Sequence, residues 1–245
     1  MTAGSIWQQV EFGSYAADLP VWLDLADSVG GPVLELGAGA GRVSVHLAGR
    51  GHEVIALERD NELTEELEHT AERIRAPVTA LTADLTAPGE ITLPQPPALV
   101  VGPLHVIQVL DTEARCRLLT WLLDAMAPAG TLALTVVDEE NLLSAGASAS
   151  RILPDMREVD GRVYSSEPLW VLVGDDTLSV RRVREEVSVD GAIDRNIHDE
   201  LLYRLSPARL EAEATVAGFE VAGRRAVDSG PREADSIVVL LEKPR

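Results

Sequence analysis

The chain has 245 residues, 46% of them hydrophobic and 25% charged. That is long enough for one large domain with a real core, and it excludes disorder, collagen-like repeats and coiled coil as the main architecture. Acidic residues number 40 against 21 basic ones, a formal net charge of −19; a field of that sign repels nucleic acid and anionic membranes, so neither is an expected partner.

Met1 to Gln9 carries no basic region followed by an apolar run, so no secretory signal is expected. Val33-Leu34-Glu35-Leu36 is a compact apolar strand stopped by glycines, and 41–49 predicts a short helix. Val54 to Leu57 is a second strand. From Asp60 to Ile74, Leu63, Leu67, Ala71 and Ile74 recur at helical spacing, with Asp60 or Asn61 as N-cap. Val78 to Leu81 is a third strand, followed by a loop holding Pro88, Pro94, Pro96 and Pro97. A fourth strand, Ala98 to Val101, closes at Gly102-Pro103. Thr112 to Met126 predicts a helix with Leu118, Leu119, Leu122 and Leu123 inward, and Pro128-Ala129-Gly130 turns into a fifth strand, Thr131 to Val137. Continuous apolar strands separated by helices point to a parallel sheet buried on both faces, a doubly wound α/β fold. The longest apolar run, Ala98 to Leu110, carries His105 and Gln108 and is too short to span a bilayer. A cytoplasmic location is the expectation.

The pattern then changes. Small and polar residues at 141–155 predict a flexible connection, and 160–204 reads as antiparallel strands, although Val183 and Val187 also fit a helical spacing. Asp190-Gly191 is a hairpin turn signal. Ser206-Pro207 predicts a helix start and Gly218 its end; Phe219 to Val227 and Ser236 to Glu242 are the last two strands. Cys116 is the single cysteine, so neither an intrachain disulfide nor a two-cysteine zinc site is available. His46, His52 and His69 show no ligand spacing, and no metal site is expected.

The most informative segment is Val33 to Arg42, in which Gly37, Gly39 and Gly41 follow the first strand. Glycines there allow a tight turn and close approach to a ligand, beside a helix N-terminus that favours a negative group. Glu58, at the next strand tip, lies where a carboxylate can accept both hydroxyls of a ribose. A dinucleotide fingerprint, G-x-G-x-x-G, would need glycine at Arg42 or Ser44. Ala83-Asp84-Leu85 follows the third strand and offers a carboxylate to an exocyclic amine. Gly102-Pro103-Leu104-His105 follows the fourth, where open parallel sheets bind ligands.

These residues resemble the class I S-adenosylmethionine-dependent methyltransferases, over essentially the whole chain. "VLELGAGAGR" resembles their motif I, "VIALERD" the acidic second-strand tip, "LTADLT" the adenine-side acid and "PAGTLALTVV" the fifth-strand region. "YAADLPVWLDLA" resembles the entry helix of small bacterial members; "LSPARLEAEATVAGFEV" and "SIVVLLEKP" resemble the final helix and antiparallel strand pair. The resemblance implies a mostly parallel seven-stranded sheet of Rossmann type, one methyltransferase domain over 1–245, and an inserted antiparallel β platform or lid at 155–204. S-adenosylmethionine would be the cofactor, S-adenosylhomocysteine the product, with no metal and a small molecule as substrate. Gly37, Ala38 and Gly39 would pass under the methionine part. Glu58 would hold the ribose, Arg59 would lie beside the adenine, and Asp84 and Leu85 would flank it. Gly102 would offer backbone contact near the sulfonium, while Tyr15 and Arg42 would reach the methionine end. Two departures stand out: the second-strand acid is Glu where Asp is commoner, and the loop after the fourth strand is not the acid-asparagine-proline-proline type of amino-methylating nucleic-acid enzymes.

His105 is the candidate proton acceptor at the methyl position. Each assignment competes with a plainer role. The glycines could be a folding turn, Glu58 a solvated acid, Asp84 a cap or turn residue and Arg42 a salt-bridge partner. Tyr15 and Trp22 could be packing, His105 a hydrogen-bonded side chain, and His198 and Tyr164 exposed positions. Three functions compete: methyl transfer to a nitrogen or oxygen nucleophile, nicotinamide-dependent oxidoreduction, and nucleoside binding or regulation without turnover. Arg42 breaks the fingerprint of the second, which also lacks a Tyr-x-x-x-Lys pair, since Lys243 is the single lysine. The acceptor and the oligomeric state stay open, a homodimer being one candidate.

Overall fold

The computed structural model describes residues 3–137, 154–229 and 235–245. The expected polar connection at 141–155 lies, up to residue 153, outside them. Two helices, α1 (Ala3–Glu11) and α2 (Leu19–Val29), lead into β1 (Val33–Leu36). Then follow α3 (Arg42–Ala48), β2 (Val54–Glu58), α4 (Asn61–Ile74), β3 (Val78–Thr82), β4 (Leu99–Gly102), α5 (Thr112–Ala125) and β5 (Thr131–Val137). Asp60 and Asp111 cap α4 and α5 by accepting backbone N–H bonds, which satisfies donors the first helical turn leaves open.

Seven strands form one sheet in the order β10-β11-β5-β4-β1-β2-β3. The five from β5 to β3 are parallel; β11 (Ser236–Glu242) runs antiparallel to β5, and β10 (Glu220–Val227) antiparallel to β11. Alternate residues of each strand feed opposite faces. Leu34, Leu36, Ile55 and Leu57 pack toward α5 and toward α6 (Pro207–Ala217); Val33, Val54, Leu99 and Val101 pack with Trp22, Val43 and Leu47 of α2 and α3. Burial on both faces is why these strands read as unbroken apolar runs. Between α5 and α6, the guanidinium of Arg115, 1% exposed, is held by the Glu213 carboxylate at 2.8 Å through two nitrogens. No sequence period announced that pair.

The second sheet holds β6 (Asp155–Val159), β7 (Arg162–Val173), β8 (Thr177–Val187) and β9 (Ile193–Tyr203) in sequence order, all antiparallel. Val183 and Val187 lie in β8, so the strand reading wins over the helical spacing: each pairs with both neighbouring strands. Gly191, at φ 84, forms the β8–β9 turn with Asp190. Helix α6 starts after the Ser206 cap and ends at left-handed Gly218, as its flanking residues predict. Among the described residues no helix is long and apolar enough to cross a membrane.

Helix α1 has no counterpart in the sequence reading. It is the bridge between the two sheets. Trp7 meets Tyr164 of β7 edge to face, and Glu11 accepts from Ser166 at 2.7 Å and from two nitrogens of Arg184 at 2.7 and 2.8 Å.

Candidate active site

A cavity of about 1140 Å³ opens where the chain departs from β1 and β4 in opposite directions across the sheet. This is the switch point at which open parallel sheets bind ligands, and the volume suits a nucleoside-sized ligand with a small second molecule.

The glycine loop forms its floor. Gly37 and Gly39 adopt φ of 64 and 56, a region costly for other residues. A side chain at Gly37 would also collide with Val106, and one at Gly39 with Gln8. The Ala38 N–H bonds Leu57 O at 2.9 Å, tying the loop to β2. Glu58, 8% exposed, closes the loop from the strand tip: its two oxygens accept from the Gly39 N–H at 2.8 Å and the Asp60 N–H at 3.0 Å. A carboxylate has about four acceptor positions, so two remain for ligand hydroxyls. Helix α3 has only seven residues, and the Ala40 N–H at its approach donates to Gln8 Oε1 at 2.9 Å. The anion-binding helix end expected from the sequence is thus partly taken by α1.

Arg42 lines the cavity but is gripped by Asp18 through both terminal nitrogens, at 2.6 and 2.7 Å. It also stacks over the Tyr15 ring at 5.2 Å and donates to Tyr15 O. The Tyr15 hydroxyl meets the Ser229 hydroxyl at 2.9 Å. Arg42, Tyr15 and Asp18 therefore form one preorganised group. Trp22 is fully buried and bonds Asp18 through its ring N–H, which is the packing role.

Arg59, Asp84 and Leu85 line the cavity as well. Asp84 accepts from the Thr86 N–H, which holds its carboxyl below the usual range. It thus has the turn role and faces the cavity as well. Gly102 is not among the cavity-lining residues: it lies beneath Val106 and Leu134, and Pro103 and Leu104 stand at the wall instead. Two acids on the lining, buried Glu35 and half-buried Glu66, carry no sequence signal for a ligand. Glu35 accepts from the Ser44 hydroxyl, and burial pushes its carboxyl up to about 7 against the pull of that bond and of Arg42. Glu66 Oε2 is buried with no hydrogen-bond partner among the described residues. Buried polar atoms are normally satisfied, so this orphan on a cavity wall fits a polar ligand.

His105 stands after β4 on a turn fixed from two directions. Leu104 before it takes the left-handed φ of 54, a strained position for a side chain with a Cβ. Gln108 behind it pairs with both backbone groups of Val137, donating at 3.1 Å and accepting at 2.8 Å. The imidazole lies edge-on to Phe12, centroids 6.2 Å apart, and its Nε2 is 2.6 Å from Glu200 Oε1 on β9. The sequence signal for Glu200 was nil, because its partner lies 95 residues away. Tyr164 is buried against α1, and neither it nor His198 lines the cavity. Among the described residues no group of three or more His, Cys, Asp or Glu could hold a metal ion.

No protein-family model matches the sequence, and a search of curated proteins finds no match either. Solved structures do. The sugar N-methyltransferase KedS8 from a Streptoalloteichus species superposes with a TM-score of 0.76 at 15% identity, over 100% of this chain and 94% of its own. An S-adenosylmethionine-dependent methyltransferase from Clostridium acetobutylicum gives 0.73 at 11% identity, over 98% and 97%. CalS10, an amino pentose methyltransferase from Micromonospora echinaspora solved with S-adenosylmethionine bound, gives 0.71 at 14%, over 97% and 96%. The likeness is one of fold: this chain has the Rossmann-like fold of the S-adenosylmethionine-dependent methyltransferases.

Proposed function

We propose that this chain is an S-adenosylmethionine-dependent methyltransferase acting on a nitrogen or oxygen nucleophile of a small molecule. The observation that carries it is the buried Glu58 at the β2 tip, held from behind by the Gly39 and Asp60 N–H groups, on the floor of a cavity at the sheet's switch point. That donor set fits an adenosyl compound: a diol acceptor at Glu58, an edge of Asp84 and Leu85 for the adenine, and the Gly37-Ala38-Gly39 backbone for the methionine part. Arg59 lies beside the adenine. The Tyr15–Arg42–Asp18 group borders the methionine end, where Arg42, tied by Asp18, acts as a shaped wall. When bound, the cofactor supplies a methyl group already activated on a sulfonium. The chain then has to hold the acceptor in line, exclude water and receive a proton. His105 is the proton acceptor in this reading, and the four-stranded sheet over 155–204 is the substrate platform. Two structural neighbours are described as acting on a sugar nitrogen and an amino pentose. With Glu200 at the wall and a net charge of −19, this supports a small amine over an anionic acceptor.

Calorimetric titration with S-adenosylmethionine, S-adenosylhomocysteine and NAD tests the proposal. The expected result is micromolar binding of both adenosyl compounds, none of NAD, and a loss in Glu58→Ala of about 1.5–3 kcal/mol for each charge-assisted ribose bond removed. Binding of NAD alone, or of nothing, overturns it; unchanged affinity in Glu58→Ala removes Glu58 from the site.

A further inference from the structure

We propose that Glu200 is a positioning residue that fixes His105 in its Nε2–H tautomer and stabilises the protonated imidazole, so that the second sheet supplies half of the proton-accepting device. The inference rests on the reading of His105 as proton acceptor in the proposed methyl transfer.

The geometry carries it. A carboxylate only accepts hydrogen bonds, so at 2.6 Å the His105 Nε2 must be the donor. A neutral imidazole whose proton is committed to Nε2 has Nδ1 as its basic nitrogen. Both side chains line the cavity and are only partly exposed, 19% for His105 and 27% for Glu200. The pair is also built rather than incidental. Left-handed Leu104 and the Gln108 clamp on Val137 fix one partner, and the β8–β9 ladder, in which Glu200 lies opposite Val180, fixes the other. Among the described residues, charged neighbours come from three strands. His198 on β9 and Arg182 on β8 act on the Glu200 carboxyl. Arg157 on β6 lines the same cavity, and the turn after α1 contributes the uncharged Phe12 ring. Burial pushes the Glu200 carboxyl up, but the charge and hydrogen bond of His105, helped by His198 and Arg182, hold it near 2. With His105 protonated, Glu200 is thus ionised beside it. An imidazole taking a proton beside it gains a charge partner at once.

The test is an NMR titration of the full chain labelled with 15N at its five histidines, the His105 signal being the one lost in His105→Ala. The expected result is the Nε2–H tautomer in the unsubstituted protein. Glu200→Gln should weaken proton binding at His105 ten-fold or more, while His46, His52 and His69 titrate as before and report an intact fold. Glu200→Asp, which keeps the charge on a shorter arm, should fall between. A Nδ1–H tautomer, or the same midpoint in all three proteins, overturns the proposal and leaves the pair a structural tether. No cofactor enters this experiment, so its failure leaves the calorimetric result untouched, and the reverse holds as well.

Discussion

The two sheets of this molecule are stabilised by different means. In the seven-stranded sheet, Leu34, Leu57, Val100 and Leu134 are fully buried and the central strands β1, β2, β4 and β5 are covered on both faces. In the four-stranded sheet, Ile193, Ile197 and Leu201 are more than half exposed, and cross-strand pairs such as Arg181–Asp199 at 2.5 Å and Arg195–Glu185 recur. Apolar burial is not screened by salt, whereas exposed ion pairs are screened and contribute little each. The first sheet can therefore serve as a rigid frame for the glycine loop and Glu58. The second is joined to it through α1, by the Ile6–Val10–Tyr164 cluster and the ion pair of Glu11, and by the His105–Glu200 pair, where its position bears directly on the cavity.

Three substitutions test that contrast. Leu57→Ala, in the frame, should cost about 3–5 kcal/mol, through lost burial and the void it leaves. Chemical unfolding at low and high salt should give the same loss. A loss under 1 kcal/mol would mean that the frame is loosely packed.

Glu35, like Glu58, is an acid buried in the frame. Its folded value lies above its ordinary one of 4.5. The stability it allows is therefore full below about 4.5 and is lost as pH rises through about 7. Glu35→Gln should unfold like the unsubstituted protein at pH 4.5 and be more stable at pH 8, by at most about 3 kcal/mol. Parallel stability–pH curves would show that Glu35 is not strained by burial.

Glu11→Gln probes the anchor. It keeps the shape and removes the charge that receives Arg184, so it should cost about 2 kcal/mol. The loss should appear in protease sensitivity of the second sheet before it appears in global unfolding. Equal sensitivity of both sheets would show that they unfold as one unit.

Much of the frame was legible in the sequence because its signals are local. Val33–Leu36, Thr131–Val137 and Ser236–Glu242 are strands with the ends that the apolar runs mark, and Ser206, Pro207 and Gly218 bracket α6. Glu58 could be placed at the cavity because strand tips and loop lengths are properties of consecutive residues. Helix α1 was missed because Ile6, Val10 and Tyr164 form their own small cluster, whose partner strand lies far along the chain. The resemblance puts Gly102 at the ligand; the 3₁₀ turn after β4 brings Val106 over it, and Pro103 and Leu104 line the cavity instead.

By itself, the sequence determined the order of the strands along the chain, the caps, the glycine turn and the acid at the second strand tip, since each depends on backbone preferences and on periods shorter than a dozen residues. Only the tertiary structure decided that Gln8 takes the Ala40 N–H, that Asp18 takes Arg42 and that Glu200 takes His105. Those pairings depend on how a helix and a second sheet dock across the cavity. Docking is set by the summed packing of surfaces distant in sequence, so no local pattern records which polar groups it brings within a hydrogen bond of each other.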